Sequence, residues 1–83
     1  MSRLTPAEEK ARLRWQCRRG LLELDFILAE FLEQHYDDLS DALQQQFVCL
    51  LEQSDPDLQR WLISAELTDF LELREVIGLI RRL

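Results

Sequence analysis

The residues best placed for chemistry lie in one stretch, CRRGLLELD, over residues 17–25. Arg18 and Arg19 precede Gly20, and Glu23 follows three positions later. Capping and helix-dipole rules explain why a glycine and some charged residues lie here. They do not require two consecutive arginines or a glutamate at position 23. A glycine also leaves bare backbone that a partner can approach closely. Periodicity alone therefore leaves two interpretations open, a capped turn between helices and a docking surface.

The rest of the chain lacks the residue patterns of a catalytic or metal site. Cys17 and Cys49 form no CxxC pair, and His35 is the single histidine. There is no glycine-rich phosphate loop, nucleophile elbow or HExxH motif. We expect both cysteines to behave as small hydrophobic residues and His35 to be partly buried. The sequence thus predicts no enzyme, no metal and no cofactor bound stably by this chain.

Length and charge restrict the class of protein. The 83 residues suit a single domain over residues 1–83, and 47% of them are hydrophobic. The net charge of −6 divides into +4 over residues 1–20 and −10 over residues 21–83, which excludes a uniformly basic nucleic-acid binder. Without a signal peptide or an apolar run that could span a bilayer, and with two isolated cysteines, a cytoplasmic protein without membrane insertion is expected.

Capping signals place the first helix at the start of the chain. Thr5 and Glu8 form an S/T-x-x-E capping box around a proline at the first helical position. The helix is predicted to end near Arg18 or Arg19, whose charges suit the negative end of the helix dipole. Gly20 is then expected to end it as a left-handed residue.

Apolar periodicity predicts a second helix over about residues 21–35. Leu22, Phe26 and Ala29 lie on a second side of this helix, which predicts neighbours on two sides. The main stripe recurs at steps of three and four residues and comprises Leu21, Leu24, Leu28, Phe31, Leu32 and His35.

Three further helices follow. Ser40 is the expected cap of a helix over about residues 41–53, and Asp55 the expected cap of a short helix that starts at Pro56. A final helix is predicted over about residues 69–82. No β-alternation or hairpin signal interrupts this pattern. The sequence therefore predicts an all-α fold, a compact five-helix bundle with short connections.

A basic stripe on the first helix offers an alternative function. Lys10, Arg14 and Arg18 are spaced four residues apart and line one side. A helix that contacts phosphates has this pattern, although the acidic remainder of the chain would repel a nucleic acid. The alternatives are a small nucleic-acid-associated or antitoxin-like regulator, and an adaptor that binds a partner helix through Leu22 and Phe26.

CRRGLLELD also contains the R-G-x-x-E motif, and with it the chain resembles the succinate dehydrogenase assembly factor family, the SdhE-type flavinylation factors. The resemblance covers about Ala11 to Leu62. After Leu62 the segment ISAELTD replaces the glycine, and often proline, that members carry, which leaves the connection over residues 64–68 open. The further matching positions are Trp15, Leu24, Asp25, Tyr36, Leu39, Ser40, Phe47, Leu50, Leu51, Glu52, Asp55, Pro56, Asp57, Leu58, Trp61 and Leu62.

The resemblance implies an assembly chaperone that is not an enzyme. Members bind the flavoprotein subunit of succinate dehydrogenase, and in bacteria that of fumarate reductase, and promote covalent attachment of FAD to a histidine of that subunit. The FAD therefore belongs to the partner, and a monomer in solution is expected. By the same resemblance, Arg19 and Glu23 are expected to make charged contacts with the flavoprotein. Gly20 would permit close approach, Arg18 would add positive potential, and Asp25 is grouped with them as a partner-binding residue.

Overall fold

The computed structural model describes residues 4–82 and contains five α-helices in that range, with no strand there. The prediction of an all-α five-helix bundle is confirmed. Two 3₁₀ turns, Tyr36–Asp38 and Leu71–Leu73, precede α3 and α5, and a π-helical turn, Gln59–Ile63, continues α4. Within the described range no helix is long and apolar enough to cross a bilayer. The helices are α1 (Pro6–Gln16), α2 (Leu22–His35), α3 (Asp41–Leu51), α4 (Asp55–Leu58) and α5 (Arg74–Arg81).

The capping box of α1 is confirmed, but the predicted end of the helix is wrong. The Glu8 backbone N–H donates to Thr5 Oγ1 at 3.2 Å, and the Thr5 N–H donates to Glu8 Oε1 at 3.0 Å. The helix ends at Gln16 with Cys17 as its C-cap, and its last bond is of the tighter i→i−3 type, from the Arg18 N–H to the Trp15 carbonyl at 3.1 Å. Gly20 is left-handed, with φ +78°, but it lies in the connection to α2 rather than at the end of α1.

The caps of α3 and α4 are serines. Ser40 Oγ accepts from the Leu43 N–H at 3.2 Å, as predicted. At α4 the cap is Ser54, whose Oγ accepts from the Asp57 N–H at 3.3 Å, so the assignment of Asp55 as the cap is wrong. Asp55 is the first helical residue, and its carboxylate forms a salt bridge with Arg19 instead of capping the helix.

The connection to α5 is irregular. Ala65 has φ +60°, and the Glu66 N–H donates to the Arg60 carbonyl at 2.8 Å, which ends the π-helical turn. The last α-helix starts at Arg74 after a 3₁₀ turn, not at the predicted residue 69. Phe70 therefore precedes the helix, where its ring stands edge-on to Trp61 at 5.9 Å.

The core lies around α2, which packs against α1, α5 and the π-helical turn. Phe31 of α2 and Phe47 of α3 meet at its centre, with ring centroids 5.4 Å apart. His35 is half-buried and its ring lies 5.6 Å from that of Phe31, which confirms the prediction for this histidine. The buried apolar side chains include Leu13, Cys17, Leu24, Leu28, Leu32, Leu50, Leu58, Trp61, Leu73, Val76, Ile77 and Ile80.

Candidate docking site at the glycine turn

The connection between α1 and α2, residues 18–21, is termed here the glycine turn. Its apex, Gly20, is exposed, and a Cβ placed on it would meet no atom of the chain within 4 Å. A side chain at this position would therefore project into open space. The missing side chain therefore leaves bare backbone facing outward, and the glycine is not needed for close packing within the bundle.

Asp25, in the first turn of α2, holds the backbone of the glycine turn. Its Oδ1 accepts from the Arg19 N–H at 2.8 Å, and its Oδ2 accepts from the Gly20 N–H at 3.1 Å. A carboxylate that receives two successive backbone N–H groups fixes the path of the chain between them. The structure thus places the predicted site residue Asp25 behind the turn, bonded to it.

Arg19 extends away from the surface. Its side chain is only 14% exposed, and its guanidinium bonds to α1, to α4 and to the end of α3. Nε donates to the Gln16 carbonyl at 3.0 Å, and Nη1 donates at 3.0 Å both to the Gln53 carbonyl and to Asp55 Oδ1. Nη2 donates to the Leu51 carbonyl. This is a different environment from the partner-facing one expected from the sequence.

Arg18 and Glu23, by contrast, are exposed. The Arg18 guanidinium carbon lies 5.9 Å from the centroid of the Trp15 ring, a cation–π arrangement. Trp15 itself is 71% exposed. A cation, an anion and a large aromatic ring are therefore exposed within five residues of Gly20 along the chain.

Two further apolar side chains extend this surface along α2. Leu22 is 89% and Phe26 66% exposed, so the prediction that a neighbour covers this side of α2 is wrong. The other elements pack against the side that carries Leu24 and Leu28. An open cavity of about 550 Å³ lies here and is lined by Trp15, Arg18, Leu22, Phe26 and adjacent residues of α1 and α2. The apolar spacing in α2 places Leu22 and Phe26 on one side of the helix, but it does not predict that this side is exposed.

The basic stripe of α1 is largely paired within the chain. Lys10 Nζ lies 2.9 Å from Asp37 Oδ2, and Arg14 bonds to Glu33 of α2. The hydrogen bond from Arg14 lowers the pKa of the Glu33 carboxyl below its usual value. Two of the three cations of the stripe thus have carboxylate partners, and Arg18 lies beside Trp15, so less free charge is left for a phosphate backbone and the nucleic-acid alternative is weakened.

The two cysteines differ in burial, so the expectation that both behave as small hydrophobic residues is confirmed for the packing of Cys17 alone. Cys17 is 1% exposed, and burial raises the pKa of its thiol from 9.0 to about 11. Cys49 is exposed.

Because thiolates are the reactive form, iodoacetamide at pH 8 should modify Cys49 in the native protein and leave Cys17 unmodified until the chain is denatured. Mass spectrometry of native and denatured samples measures this, and fast native labelling of Cys17 would contradict it.

No group of three or more histidine, cysteine or carboxylate residues suited to a metal ion is found within residues 4–82. The features gathered at the glycine turn are ones that also occur at protein–protein interfaces. They are an open glycine, exposed apolar side chains and charges of both signs at their edge.

Comparison with known proteins agrees with this description. The family described as "Flavinator of succinate dehydrogenase" matches residues 11–83, which extends past the region of resemblance to include the last helix. The FAD assembly factor SdhE of Aliivibrio fischeri is 49% identical over 65 residues, 78% of this chain and 76% of the relative. The FAD assembly factor SdhE of Yersinia pseudotuberculosis is 45% identical over 74 residues, 89% and 84% of the two chains. The chain belongs to the succinate dehydrogenase flavinator family.

Proposed function

We propose that this protein binds the flavoprotein subunit of succinate dehydrogenase and promotes covalent attachment of FAD to it. The binding surface, termed here the docking face, consists of Trp15, Arg18, Gly20, Leu22, Glu23 and Phe26. The observation that carries the proposal is the exposure of three large apolar side chains beside an open glycine.

Exposed apolar side chains of this size favour a protein partner. Trp15 and Phe26 are of the residue types that contribute most of the binding free energy at interfaces, where they are buried at the centre of the contact. Arg18 and Glu23 are charged and lie near them at the edge of the docking face, where charges determine orientation and partner choice. The bare backbone at Gly20 lets the partner's surface come into contact with the turn.

The proposed role is that of an assembly factor without catalytic groups of its own. The reacting histidine and the FAD both belong to the flavoprotein, and a bound protein can accelerate their reaction by holding the partner in a reactive arrangement. The histidine of this chain, His35, packs against Phe31 and is not part of the docking face. Stable binding of FAD by this chain is not part of the proposal.

We extend the same proposal to the flavoprotein subunit of fumarate reductase, on the strength of the resemblance. The docking face would have to fit both subunits. Two unpaired cysteines, Cys17 and Cys49, are in keeping with action in a reducing cytoplasmic compartment. Flavinylation of each subunit, measured separately in the same cells, tests the extension directly.

The test uses cells that lack their own flavinylation factor. This protein is supplied to them, and covalent FAD is read as in-gel fluorescence of the denatured flavoprotein subunit. The expected result is restored fluorescence at the mass of that subunit. If fluorescence is not restored although the protein accumulates and is folded by circular dichroism, the proposed function is wrong. An adaptor that serves another partner would give that negative result.

A further inference from the structure

We infer that Arg19 is a positioning residue. Its guanidinium fixes the glycine turn against the α3–α4 junction, residues 51–55, and so maintains the geometry of the docking face. This inference rests on the proposed function, because it explains how the docking face is kept in shape. It differs from the expectation that Arg19 touches the flavoprotein.

Three of the four side-chain partners of Arg19 lie at helix ends, and the fourth, Gln53, lies between α3 and α4. Gln16 is the last residue of α1, Leu51 is the last residue of α3, and Asp55 is the first residue of α4. The carbonyls in the last turn of a helix have no partner within it, and a cation at that end also interacts favourably with the helix dipole. One guanidinium therefore satisfies carbonyls from two helices and pairs with a carboxylate at the start of a third.

This arrangement leaves little of Arg19 for a partner protein. A guanidinium has five N–H donors, and four hydrogen bonds from it to its own chain are present. With 14% of the side chain exposed, a contact with the flavoprotein would require breaking bonds that hold the helix ends together. Hydrogen bonds from charged groups are among the more stabilising ones, so that exchange is unfavourable.

The position of the docking face depends on these bonds. Asp25 of α2 fixes the backbone of Arg19 and Gly20, while the Arg19 side chain fixes the same segment to α3 and α4. Trp15 precedes the glycine turn and Leu22 follows it, so the distance between these two side chains is set by the path of the turn. Without the guanidinium the turn would keep the Asp25 bonds and the bond from the Arg18 N–H to the Trp15 carbonyl, but it would lose its side-chain bonds to the α3–α4 junction, and the docking face would lose its fixed shape.

The experiment measures the affinity of purified variants for the flavoprotein subunit carrying non-covalent FAD, together with hydrogen exchange of the Arg19 and Gly20 amides. Arg19→Gln is expected to raise Kd by about tenfold or more and to speed exchange at both amides. Arg18→Gln is the matched control. It should raise Kd by removing a direct contact while leaving exchange at the two amides unchanged.

Asp55→Ala separates positioning from contact. Asp55 is outside the docking face, yet its loss should raise Kd in the same direction as Arg19→Gln, and the double variant should bind no worse than Arg19→Gln alone. An unchanged Kd for Asp55→Ala would overturn the inference, since a directly bound Arg19 would be freed by that change. A raised Kd for Arg19→Gln with normal amide exchange would overturn it as well.

Gly20→Arg in the same assay distinguishes a failure of the proposed docking face from a failure of the inference about Arg19. If Gly20→Arg binds as tightly as the unmodified protein, the docking face is wrong and the positioning inference falls with it. If Gly20→Arg fails to bind while Arg19→Gln binds normally, only the inference about Arg19 is wrong.

Discussion

Gly20→Arg is expected to abolish covalent flavinylation while the bundle stays folded. A Cβ at position 20 meets no atom of its own chain within 4 Å, so the new arginine would project from the docking face into the space that the proposal assigns to the flavoprotein. The left-handed backbone, with φ +78°, adds a strain of about 1–2 kcal/mol for any residue with a Cβ. That strain is small beside the stability of on the order of 4–12 kcal/mol expected for a domain of this length.

Gly20→Ala is the control for this prediction. Alanine introduces the same backbone strain but only one methyl group, so most of the flavinylation should remain. Both variants are supplied to cells that lack their own factor, and in-gel flavin fluorescence is compared with thermal unfolding followed by circular dichroism. Full fluorescence with Gly20→Arg would show that nothing approaches the glycine turn. An equal loss with both variants would assign the effect to strain and not to blocked docking.

Phe47→Ala and Phe26→Ala are expected to affect different properties, stability and binding respectively, although both remove a phenylalanine ring from a helix. Phe47 is fully buried and meets the rings of Phe31 and Tyr36 at 5.4 and 5.7 Å. Its removal leaves a cavity at the centre of the core and should lower the free energy of unfolding by about 3–5 kcal/mol. In a domain of this size that is a large part of the total stability.

Phe26 is 66% exposed, so Phe26→Ala should change the free energy of unfolding little. It should instead weaken binding to the flavoprotein by about tenfold, as loss of an aromatic anchor at an interface commonly does. Urea unfolding and binding affinity, measured on both variants, give the comparison. A strong loss of stability in Phe26→Ala would mean that its ring is part of the core. Unchanged affinity would remove it from the docking face.

Much of this protein can be predicted from local sequence patterns. The capping box at Thr5 and Glu8 and the serine cap at Ser40 follow from rules that span three residues. The buried stripe of α2 follows from steps of three and four residues, and the all-α class follows from the succession of such segments. The R-G-x-x-E motif and its surroundings identified the family, because those residues stand at fixed places along the chain.

Other features depended on packing and were missed. Periodicity places Leu22 and Phe26 on one side of α2, but whether a neighbour covers that side depends on where the other helices lie. They pack on the opposite side, and both residues stay exposed. The end of α1 at Gln16 was also missed, since an i→i−3 bond from the Arg18 N–H to the Trp15 carbonyl closes the helix before the predicted end.

Sequence alone therefore determined the helices, most of their starting points, the family and the motif around Gly20. Only the tertiary structure decided which charges of that motif are exposed and which bond within the chain. Arg18 and Arg19 are adjacent and chemically identical, yet one is exposed and the other bonds to residues 32 to 36 positions away. Capping and dipole rules describe interactions within a few residues of a helix end. The long-range partners of Arg19 come close to it only after α3 and α4 have packed beside α1, and no local sequence pattern predicts that proximity.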